Sequence, residues 1–370
     1  MKIAIFHDLP KSESRKIANE FSKRLKSAGN LIDLFVVSGN KELNELSYYS
    51  NYYFYNYMLR VTDSTNYLNL FWTKILEIVE LYFLQQKISN IINNNSYDVV
   101  IVHSSLFINA PFILRFIKTK KIYYSHGVMP IMHEPVFPIR KSQNLVKYIT
   151  ESLTKLLLVS IFKSNISFAD KIVVNSKFTT KLLYKFFHIN GIVCYPGVDT
   201  QVFTSGKVKK EIDVLYIGSF NYQSGEYSLF QSSLRFLKSN IRIKIINRDT
   251  NYISDKVLRN YYSKSKITVC TGNKESFGLI PLESASCGAV VLAVNEGGYK
   301  ETIIQNKTGY LVEKNPIKIA LEIERILGDE KQLQIVAKTA RENVINNWSW
   351  NRSTNVLKLI LQSLQDGSLN

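Results

Sequence analysis

Short apolar runs alternate with helical patterns along the chain. Residues 1–6 (MKIAIF) form an apolar run that ends at the polar residue His7, which predicts a buried parallel strand. Residues 14–28 carry apolar side chains at helical spacing, and Gly29 follows as a typical helix end. A second apolar run covers 31–37. Strand, helix and strand in this order predict a βαβ unit.

The same alternation recurs in two series. Further strands are predicted at 98–102, 122–124 and 171–174, and then at 213–217, 241–246, 267–270 and 289–294. Two such series predict two doubly wound α/β domains, with the ligand site at the carboxyl ends of the strands. The polar segment 197–211 predicts a division into residues 1–204 and 205–345.

The composition is that of an ordinary folded protein, with 45% apolar and 21% charged residues among 370. The three cysteines form no CxxC pair, which argues against a zinc ribbon or a disulfide framework. The first apolar run is too short for a signal peptide, and no run approaches the roughly 18 residues of a membrane span. These features predict a cytoplasmic protein.

The formal charge of +17 indicates an anionic partner. Residues 1–190 hold 24 Lys and Arg against 13 Asp and Glu, so the excess is concentrated in the first half. Residues 48–57 are rich in aromatic side chains, and 144–162 form an amphipathic stretch with Leu145, Ile149, Leu153, Leu156 and Leu157. This combination favours peripheral docking on an anionic membrane. A solvated basic surface with packed aromatics is the alternative, and no nucleic-acid-binding signature is present.

Candidate chemistry is concentrated in residues 275–283 (ESFGLIPLE), between a predicted strand and a predicted helix. Gly278 permits a close approach of the backbone to a ligand, and the helix N-terminus favours an anion. Glu283, on the first turns of that helix, can accept two hydroxyl hydrogen bonds, as a ribose diol offers. Alternatively, Glu283 forms a helix cap or salt bridge and Glu275 is a solvated loop residue.

Five segments give this region a context: 169–178, 195–203, 275–283, 295–301 and 308–312. Their order resembles the retaining glycosyltransferases of family 4, the group 1 transferases with the GT-B fold. The resemblance spans nearly the whole chain and includes Trp348-Ser349-Trp350 near the end. It implies two Rossmann-like domains facing a cleft, with a C-terminal helix at about 346–370 that returns to the first domain.

The resemblance also implies roles for individual residues. Glu275 would bind hydroxyls of the transferred hexose, and Glu283 would bind the ribose of a nucleotide sugar. The backbone N–H groups of Phe277, Gly278 and Leu279 would face the sugar and the diphosphate.

The resemblance implies a histidine in the first domain as well. The family's donor-facing histidine falls on His126, in YYSHG, and His103 is the rival candidate. The implied reaction is hexosyl transfer with retention to a glycan or lipid-linked acceptor. It would need no metal and no cofactor other than the nucleotide-sugar substrate.

Two departures from the family pattern concern the diphosphate. The first loop, residues 11–15, lacks the usual glycine pair, and Ser219 and Ser224 stand where an Arg and a Lys are expected. A leaving diphosphate needs cationic stabilisation. Other cations are expected to supply it, with Lys274 as the first choice; the further candidates are Arg248, Lys300 and Arg15.

Other chemistries lack support in the sequence. It contains no Asp-x-Asp, GxxxxGK[ST] or GxSxG motif, and no GxGxxG follows the first strand. Two rivals stay open: a GT-B nucleotide-sugar epimerase, and a weakly active or non-catalytic relative that binds glycans or nucleotides.

Overall fold

The computed structural model describes residues 1–39, 46–60, 66–133, 145–206, 208–220, 226–248 and 253–366. The chain divides into two compact units. Unit 1 comprises Met1–Asn175, Thr179–Cys194 and Thr354–Asn370, and unit 2 comprises Ser176–Phe178 and Tyr195–Ser353. The main division therefore falls between Cys194 and Tyr195, whereas the sequence predicts it between residues 204 and 205.

The described part of unit 1 is built on a seven-stranded parallel sheet in the order β3-β2-β1-β4-β5-β6-β7. Its strands are β1 (Lys2–His7), β2 (Leu31–Ser38), β3 (Asn51–Asn56), β4 (Val99–His103), β5 (Lys121–Ser125), β6 (Lys171–Val174) and β7 (Ile192–Val193). The chain order reverses between β1 and β4. Such a switch point is where ligands bind in open α/β sheets.

Helices cover this sheet and bury their apolar faces against it. They are α1 (Glu13–Ser27), α2 (Tyr67–Asn93), α3 (Ile113–Phe116), α4 (Pro130–His133), α5 (Leu145–Ile166) and α6 (Lys177–Phe187). The predicted helix at 14–28 is confirmed as α1. The Ser12 hydroxyl accepts the N–H of Arg15 at 3.4 Å, which caps the helix start.

The described part of unit 2 is built on a five-stranded parallel sheet in the order β12-β11-β10-β8-β9. Its strands are β8 (Ile212–Gly218), β9 (Ile243–Asn247), β10 (Ser265–Cys270), β11 (Val290–Val294) and β12 (Tyr310–Val312). The order reverses between β8 and β10, so the loops after these two strands flank the switch point.

The helices that follow unit 2's strands complete its α/β architecture. They are α7 (Glu226–Leu234), α8 (Asp255–Lys264), α9 (Leu279–Ser286), α10 (Tyr299–Thr302), α11 (Pro316–Gly328) and α12 (Glu330–Asn347). The last helix is α13 (Trp350–Gln365). Its residues from Thr354 onward belong to unit 1.

Within the aromatic run at 48–57, residues Asn51–Asn56 form β3, at one edge of unit 1's sheet. The Tyr53 ring stacks on Phe35 with ring centroids 4.5 Å apart, and Tyr55 and Tyr57 also pack against the core. The aromatic side chains of β3 are half-buried. The rings thus pack against the core, as in the alternative to membrane docking, and docking through this run stays a prediction.

Candidate active site

The loop 271–278 connects β10 to α9 at the switch point of unit 2. Glu275 is half-buried in this loop, and its carboxylate accepts the N–H of Ser276 at 3.0 Å. Burial raises the pKa of Glu275, while the N–H groups of Ser276 and Phe277 and the charge of Arg248 act in the opposite direction. Opposing effects of this kind on a pKa are typical of a partly desolvated carboxylate at a functional site.

Two glycines of the neighbouring loop hold Glu275 in place. The N–H of Gly298 donates to the carbonyl oxygen of Glu275 at 2.8 Å. A Cβ on Gly297 would lie 2.3 Å from that same oxygen, and a Cβ on Gly298 would lie 2.6 Å from the Cα of Phe277. Gly297 also has a φ of +58°. The sequence pattern at 295–301 did not indicate this contact of Gly297 and Gly298 with the Glu275 loop.

Two further glycines make room for the Glu275 side chain and for a tyrosine ring. A Cβ on Gly272 would lie 2.5 Å from the Tyr299 hydroxyl. On Gly278 it would lie 2.8 Å from the Tyr299 ring and 3.2 Å from Cγ of Glu275. Gly278 has a φ of +82° and is the N-cap of α9. A glycine cap brings no side chain, so an anion can approach the positive end of the helix.

Aromatic side chains pack against the loop 271–278. Phe277 is fully buried, and its ring centroid lies 5.9 Å from that of Tyr195 and 5.8 Å from that of Trp348. The Ser176 hydroxyl donates to the carbonyl oxygen of Ser276 at 2.6 Å. The side chain of Phe277 is thus structural, and only its backbone is left for the predicted ligand contact.

Glu283 lies on the second turn of α9, and only 5% of it is exposed. The hydroxyl of the buried Tyr262 donates to Oε2 of Glu283 at 3.3 Å. Burial raises the pKa of Tyr262, and the Glu283 charge acts in the same direction. Tyr262 thereby orients one carboxylate oxygen of Glu283.

Arg248 is the expected cation for which the structure gives an electrostatic link to Glu275. It directly follows β9 and is exposed, and its N–H donates to the carbonyl oxygen of Gly218 at 3.0 Å. This bond ties Arg248 to the end of β8, beside Ser219. The Arg248 charge lowers the pKa of both Glu275 and Tyr262.

The other expected cations lie in different settings. Lys274 is exposed and has a φ of +49°, and Lys300 is exposed on α10. Arg15 belongs to unit 1, where it is buried on α1. Ser219 is half-buried after β8, and Ser224 lies outside the described residues.

Three histidines meet at the carboxyl ends of unit 1's central strands. His7 ends β1 and His103 ends β4, while His126 directly follows β5. Nδ1 of His103 and Nε2 of His126 are 3.0 Å apart, and the two rings stack with centroids 5.1 Å apart. The His7 ring meets the His103 ring edge-on at 6.4 Å. The structure thus unites the two rival histidines of the sequence analysis and adds His7.

Buried polar atoms without partners mark this cluster. Burial lowers the pKa of all three histidines, and that of His103 falls to about 3. The Leu9 N–H donates to Nδ1 of His7 at 3.3 Å, so the neutral ring carries its proton on Nε2. Within the described residues, His7 Nε2 and His126 Nδ1 are buried with no hydrogen-bond partner. Such atoms are costly unless a ligand or water satisfies them.

Asp8 lies beside the histidines at the same switch point. Its carboxylate accepts the N–H of Leu106 at 2.9 Å and a hydrogen bond from the Ser105 hydroxyl. Burial raises the pKa of Asp8 to about 6. No group of three or more His, Cys, Asp or Glu side chains in the described parts of the chain is arranged to hold a metal ion.

A family model described as Glycosyltransferase Family 4 matches residues 15–202, about half of the chain. The chain belongs to glycosyltransferase family 4. A second model, Glycosyl transferases group 1, matches residues 248–343. This second match contains Glu275, Glu283, Gly297 and Gly298. The family expected from the motifs is therefore confirmed.

Curated relatives match this family member over part of their length. The capsular polysaccharide biosynthesis glycosyltransferase CapM of Staphylococcus aureus is 27% identical over 139 residues, 37% of this chain and 34% of CapM. The N-acetyl-alpha-D-glucosaminyl L-malate synthase of Bacillus anthracis is 25% identical over 225 residues, 60% of this chain and 53% of the synthase. The chain thus spans less than two thirds of these relatives' length.

Solved structures agree with the described fold. The sucrose-phosphate synthase of Thermosynechococcus elongatus has a TM-score of 0.74 at 16% identity, with 100% of each chain covered. The Anabaena HepE protein in complex with UDP has a TM-score of 0.70 at 13% identity, over 98% of this chain and 100% of that one. The expected GT-B fold, with its two Rossmann-like units, is therefore confirmed.

Proposed function

We propose that this chain transfers a hexose from a nucleotide-sugar donor, with retention, to a glycan or lipid-linked acceptor. The observation that carries the proposal is the loop of Glu275. A half-buried carboxylate with a raised pKa stands at a switch point, directly before a glycine-capped helix. Two glycines of the next loop fix its backbone. This arrangement suits a polar sugar ring joined to an anionic leaving group.

The donor half of the proposal rests on unit 2. The positive end of α9 would receive the diphosphate, and Glu283, oriented by Tyr262, would accept the ribose hydroxyls. The Anabaena HepE protein, at 12% identity and a TM-score of 0.63, has been solved in complex with UDP-glucose. A nucleotide diphosphate sugar is therefore the donor class to test first.

Arg248 is our choice for the cation that replaces the missing Arg and Lys at Ser219 and Ser224. Its backbone is bound to Gly218, directly before Ser219, and its charge acts on Glu275 and on Tyr262. A guanidinium near these groups can hold the diphosphate in a bidentate manner. Lys274, our first choice from the sequence, comes second because the charge that lowers the pKa of Glu275 is that of Arg248.

The proposed reaction is a front-face displacement. The bond between C1 of the sugar and the β-phosphate oxygen breaks, and its electron pair stays on that oxygen. The acceptor hydroxyl oxygen forms the new bond to C1 on the same face, and its proton passes to the departing diphosphate. Glu275 would hold sugar hydroxyls, and Arg248 with the α9 N-terminus would stabilise the developing charge.

The proposed role of the histidine pair is to bind and orient the transferred sugar. His126 Nδ1, buried and without a partner in the described residues, is suited to a hydroxyl of that sugar. His103, at 3.0 Å, fixes the orientation of the His126 ring, so His103 is a positioning residue. We also propose that transfer needs no metal, which activity in the presence of a chelator would test.

A two-step experiment tests the function. Thermal unfolding with UDP, GDP and ADP sugars would identify the donor, which we expect to raise the Tm. The chosen donor is then incubated with candidate acceptors, and the product anomer is read by NMR. A retained anomeric configuration supports the proposal. A changed sugar without any acceptor would instead reveal an epimerase, and donor binding without any product would reveal a binding protein.

A further inference from the structure

The outward face of α2 is apolar over four turns. Large apolar side chains are exposed there at the spacing of one helical stripe: Leu68, Trp72, Leu76, Val79 and Phe83. Trp72 is 61% exposed. The opposite face of the same helix is buried in unit 1's core through Ile78, Leu81 and Ile88. Helix α2 is therefore apolar on both faces, and the described residues cover only one of them.

Helix α5 repeats this arrangement. Its exposed stripe consists of Leu145, Ile149, Leu153 and Leu156, and its buried stripe consists of Leu158, Ile161 and Phe162 in the same core. In both helices the exposed stripe ends in a lysine. Lys87 follows the stripe on α2, and Lys163 follows the stripe on α5, and both are exposed.

Contacts at both ends show that α2 and α5 lie side by side and run in the same direction. Near their starts, the Lys147 ammonium lies 5.7 Å from the ring centroid of Tyr67. Towards their ends, both helices bind the short helix α3. Gln85 of α2 accepts the N–H of Ile113, and Asn165 of α5 accepts from the side chain of Arg115. The two apolar stripes therefore form one surface, which we name the α2–α5 face.

The surroundings of this face are basic. The segment 57–60 together with α2 and α5 carries six cations, namely Arg60, Lys74, Lys87, Lys147, Lys155 and Lys163, and three anions, Glu77, Glu80 and Glu151. Each of these anions is paired with a cation, Arg60 with Glu80, Lys74 with the buried Glu77 and Lys147 with Glu151, so six cations less three anions leave a net charge of +3. Apolar and aromatic side chains bordered by lysines match the lipid–water interface, where a bilayer offers acyl chains below anionic headgroups.

We propose that the α2–α5 face docks on the surface of an anionic lipid bilayer. The apolar stripes enter the boundary between headgroups and acyl chains, and the bordering lysines contact lipid phosphates. Such docking would make the protein a peripheral membrane protein on the cytoplasmic side. It deepens the proposed function, because it favours the lipid-linked acceptor over a soluble glycan. Vesicle binding needs neither donor nor turnover, so the two proposals can fail separately.

The charge of the face favours lipid over a second copy of the chain. Two copies joined through this face would bring the lysines of both together, and like charges at an interface oppose association. An anionic bilayer meets the same lysines with the opposite sign, at about 1 kcal/mol for each Lys or Arg near the surface. Anionic lipid is therefore the occupant that satisfies both the apolar stripes and the charge.

Vesicle flotation tests the proposal with the full chain. Vesicles of phosphatidylcholine alone are compared with vesicles that also contain phosphatidylglycerol, at low and at high salt. We expect binding to the anionic vesicles, weakened by salt, and a shift of the tryptophan fluorescence to shorter wavelength that is lost when Trp72 is replaced. The double variant W72S/L153S should bind at least about tenfold more weakly, because two side chains lose apolar area that the bilayer buries.

A matched control separates this face from surface hydrophobicity in general. Leu321 on α11 and Ile335 on α12 are also exposed apolar residues, at 52% and 50%, and L321S/I335S should bind vesicles as the unmodified chain does. Equal vesicle binding by W72S/L153S and the unmodified chain would overturn the proposal. So would a failure of the unmodified chain to bind anionic vesicles. Light scattering adds a third contrary result: a dimer that W72S/L153S dissociates, with no lipid binding.

Discussion

The N–H of Gly298 donates to the carbonyl oxygen of Glu275 at 2.8 Å, and this bond joins the loops that follow β10 and β11. A Cβ on Gly297 would lie 2.3 Å from that same oxygen. The two loops are therefore in direct backbone contact, with no room for a side chain at position 297. The conformation of Glu275 therefore depends on residues more than twenty positions further along the chain. The backbone of Glu275 is thus held in place before any ligand arrives.

Replacing Gly297 or Gly298 should therefore damage the site more than the fold. In Gly297→Ala and Gly298→Ala the added methyl must push the Glu275 loop away, since backbone atoms leave it no room. We expect donor affinity to fall about tenfold or more, with a loss of stability of about 1–3 kcal/mol. Calorimetry with the nucleotide sugar and urea unfolding measure the two effects. Gly328→Ala is the control, because a Cβ there meets nothing within 4 Å.

The electrostatic role proposed for Arg248 has a direct test. Arg248→Ala should weaken binding of the nucleoside diphosphate by about tenfold to a hundredfold, the range expected for hydrogen bonds to a charged group. Arg248→Lys should recover part of the loss, because it restores the charge without the bidentate geometry. Arg235→Ala removes an exposed arginine elsewhere in unit 2 and should have no effect. Unchanged diphosphate affinity in Arg248→Ala would show that Arg248 does not bind the diphosphate, and Lys274 would be the next cation to test.

Glu283 and Tyr262 should act together on the ribose. Glu283→Gln removes the charge but keeps the shape, and we expect it to weaken nucleotide binding by about 1–3 kcal/mol. Tyr262→Phe deletes the hydroxyl 3.3 Å from Glu283 and should have a smaller effect. In the double variant the two losses should not add, because Tyr262 acts through Glu283. Additive losses would show that the two residues bind the nucleotide independently.

The buried histidines should make the protein sensitive to mild acid. Their folded-state pKa values lie below the unfolded value of about 6.5, so the unfolded chain binds more protons as the pH falls through that value. Each histidine then costs the folded state up to about 1.4 kcal/mol per pH unit. Asp8 acts in the opposite sense. Its folded-state pKa of about 6 exceeds its unfolded value, so it stabilises the fold as the pH falls from about 6 towards 4.

Three histidines outweigh one aspartic acid, so the free energy of unfolding should fall between pH 7.5 and pH 5.5 by about 2–3 kcal/mol. Urea titrations at several pH values measure this slope. His103→Gln should flatten it, whereas His188→Asn should leave it unchanged, because His188 is exposed and asparagine tolerates its positive φ. A slope that is equal in His103→Gln and the unmodified chain would contradict the buried, neutral state of the cluster.

The sequence predicted the strands well, because an apolar run is a local pattern, whereas the roles of Glu275 and Glu283 stay predictions. An apolar run such as 267–270 predicts a buried strand from neighbouring residues alone. The segment 275–283 is likewise a continuous stretch of sequence. The contacts that shape the site are not local. No pattern indicated that Gly297 lies against Glu275, or that His7, His103 and His126 meet, because the order of strands in the sheet brings them together.

The surface was predicted less well, because the side chain's exposure depends on tertiary packing. The aromatic run 48–57 was one candidate for membrane docking, and its strand β3 is an edge strand with half-buried rings. Residues 145–162 of the predicted amphipathic stretch lie in α5 and carry an exposed apolar stripe, while residue 144 lies outside the described residues. The exposed apolar stripe of α2 was not predicted, because a helix that is apolar on both faces shows little periodicity in its hydrophobic pattern.

The most direct measurement is the transfer rate of Glu275→Gln with the donor that stabilises the unmodified chain. Glutamine keeps the size of the side chain and removes its charge, so the fold and the Tm without donor should be retained. The rate should fall by at least about a hundredfold, because a charged contact to the reacting sugar is lost. Control reactions use Glu296→Gln, which changes a carboxylate of the neighbouring loop that is paired with Lys314 at 3.5 Å. Near-normal transfer by Glu275→Gln would contradict the assignment of this loop as the active site.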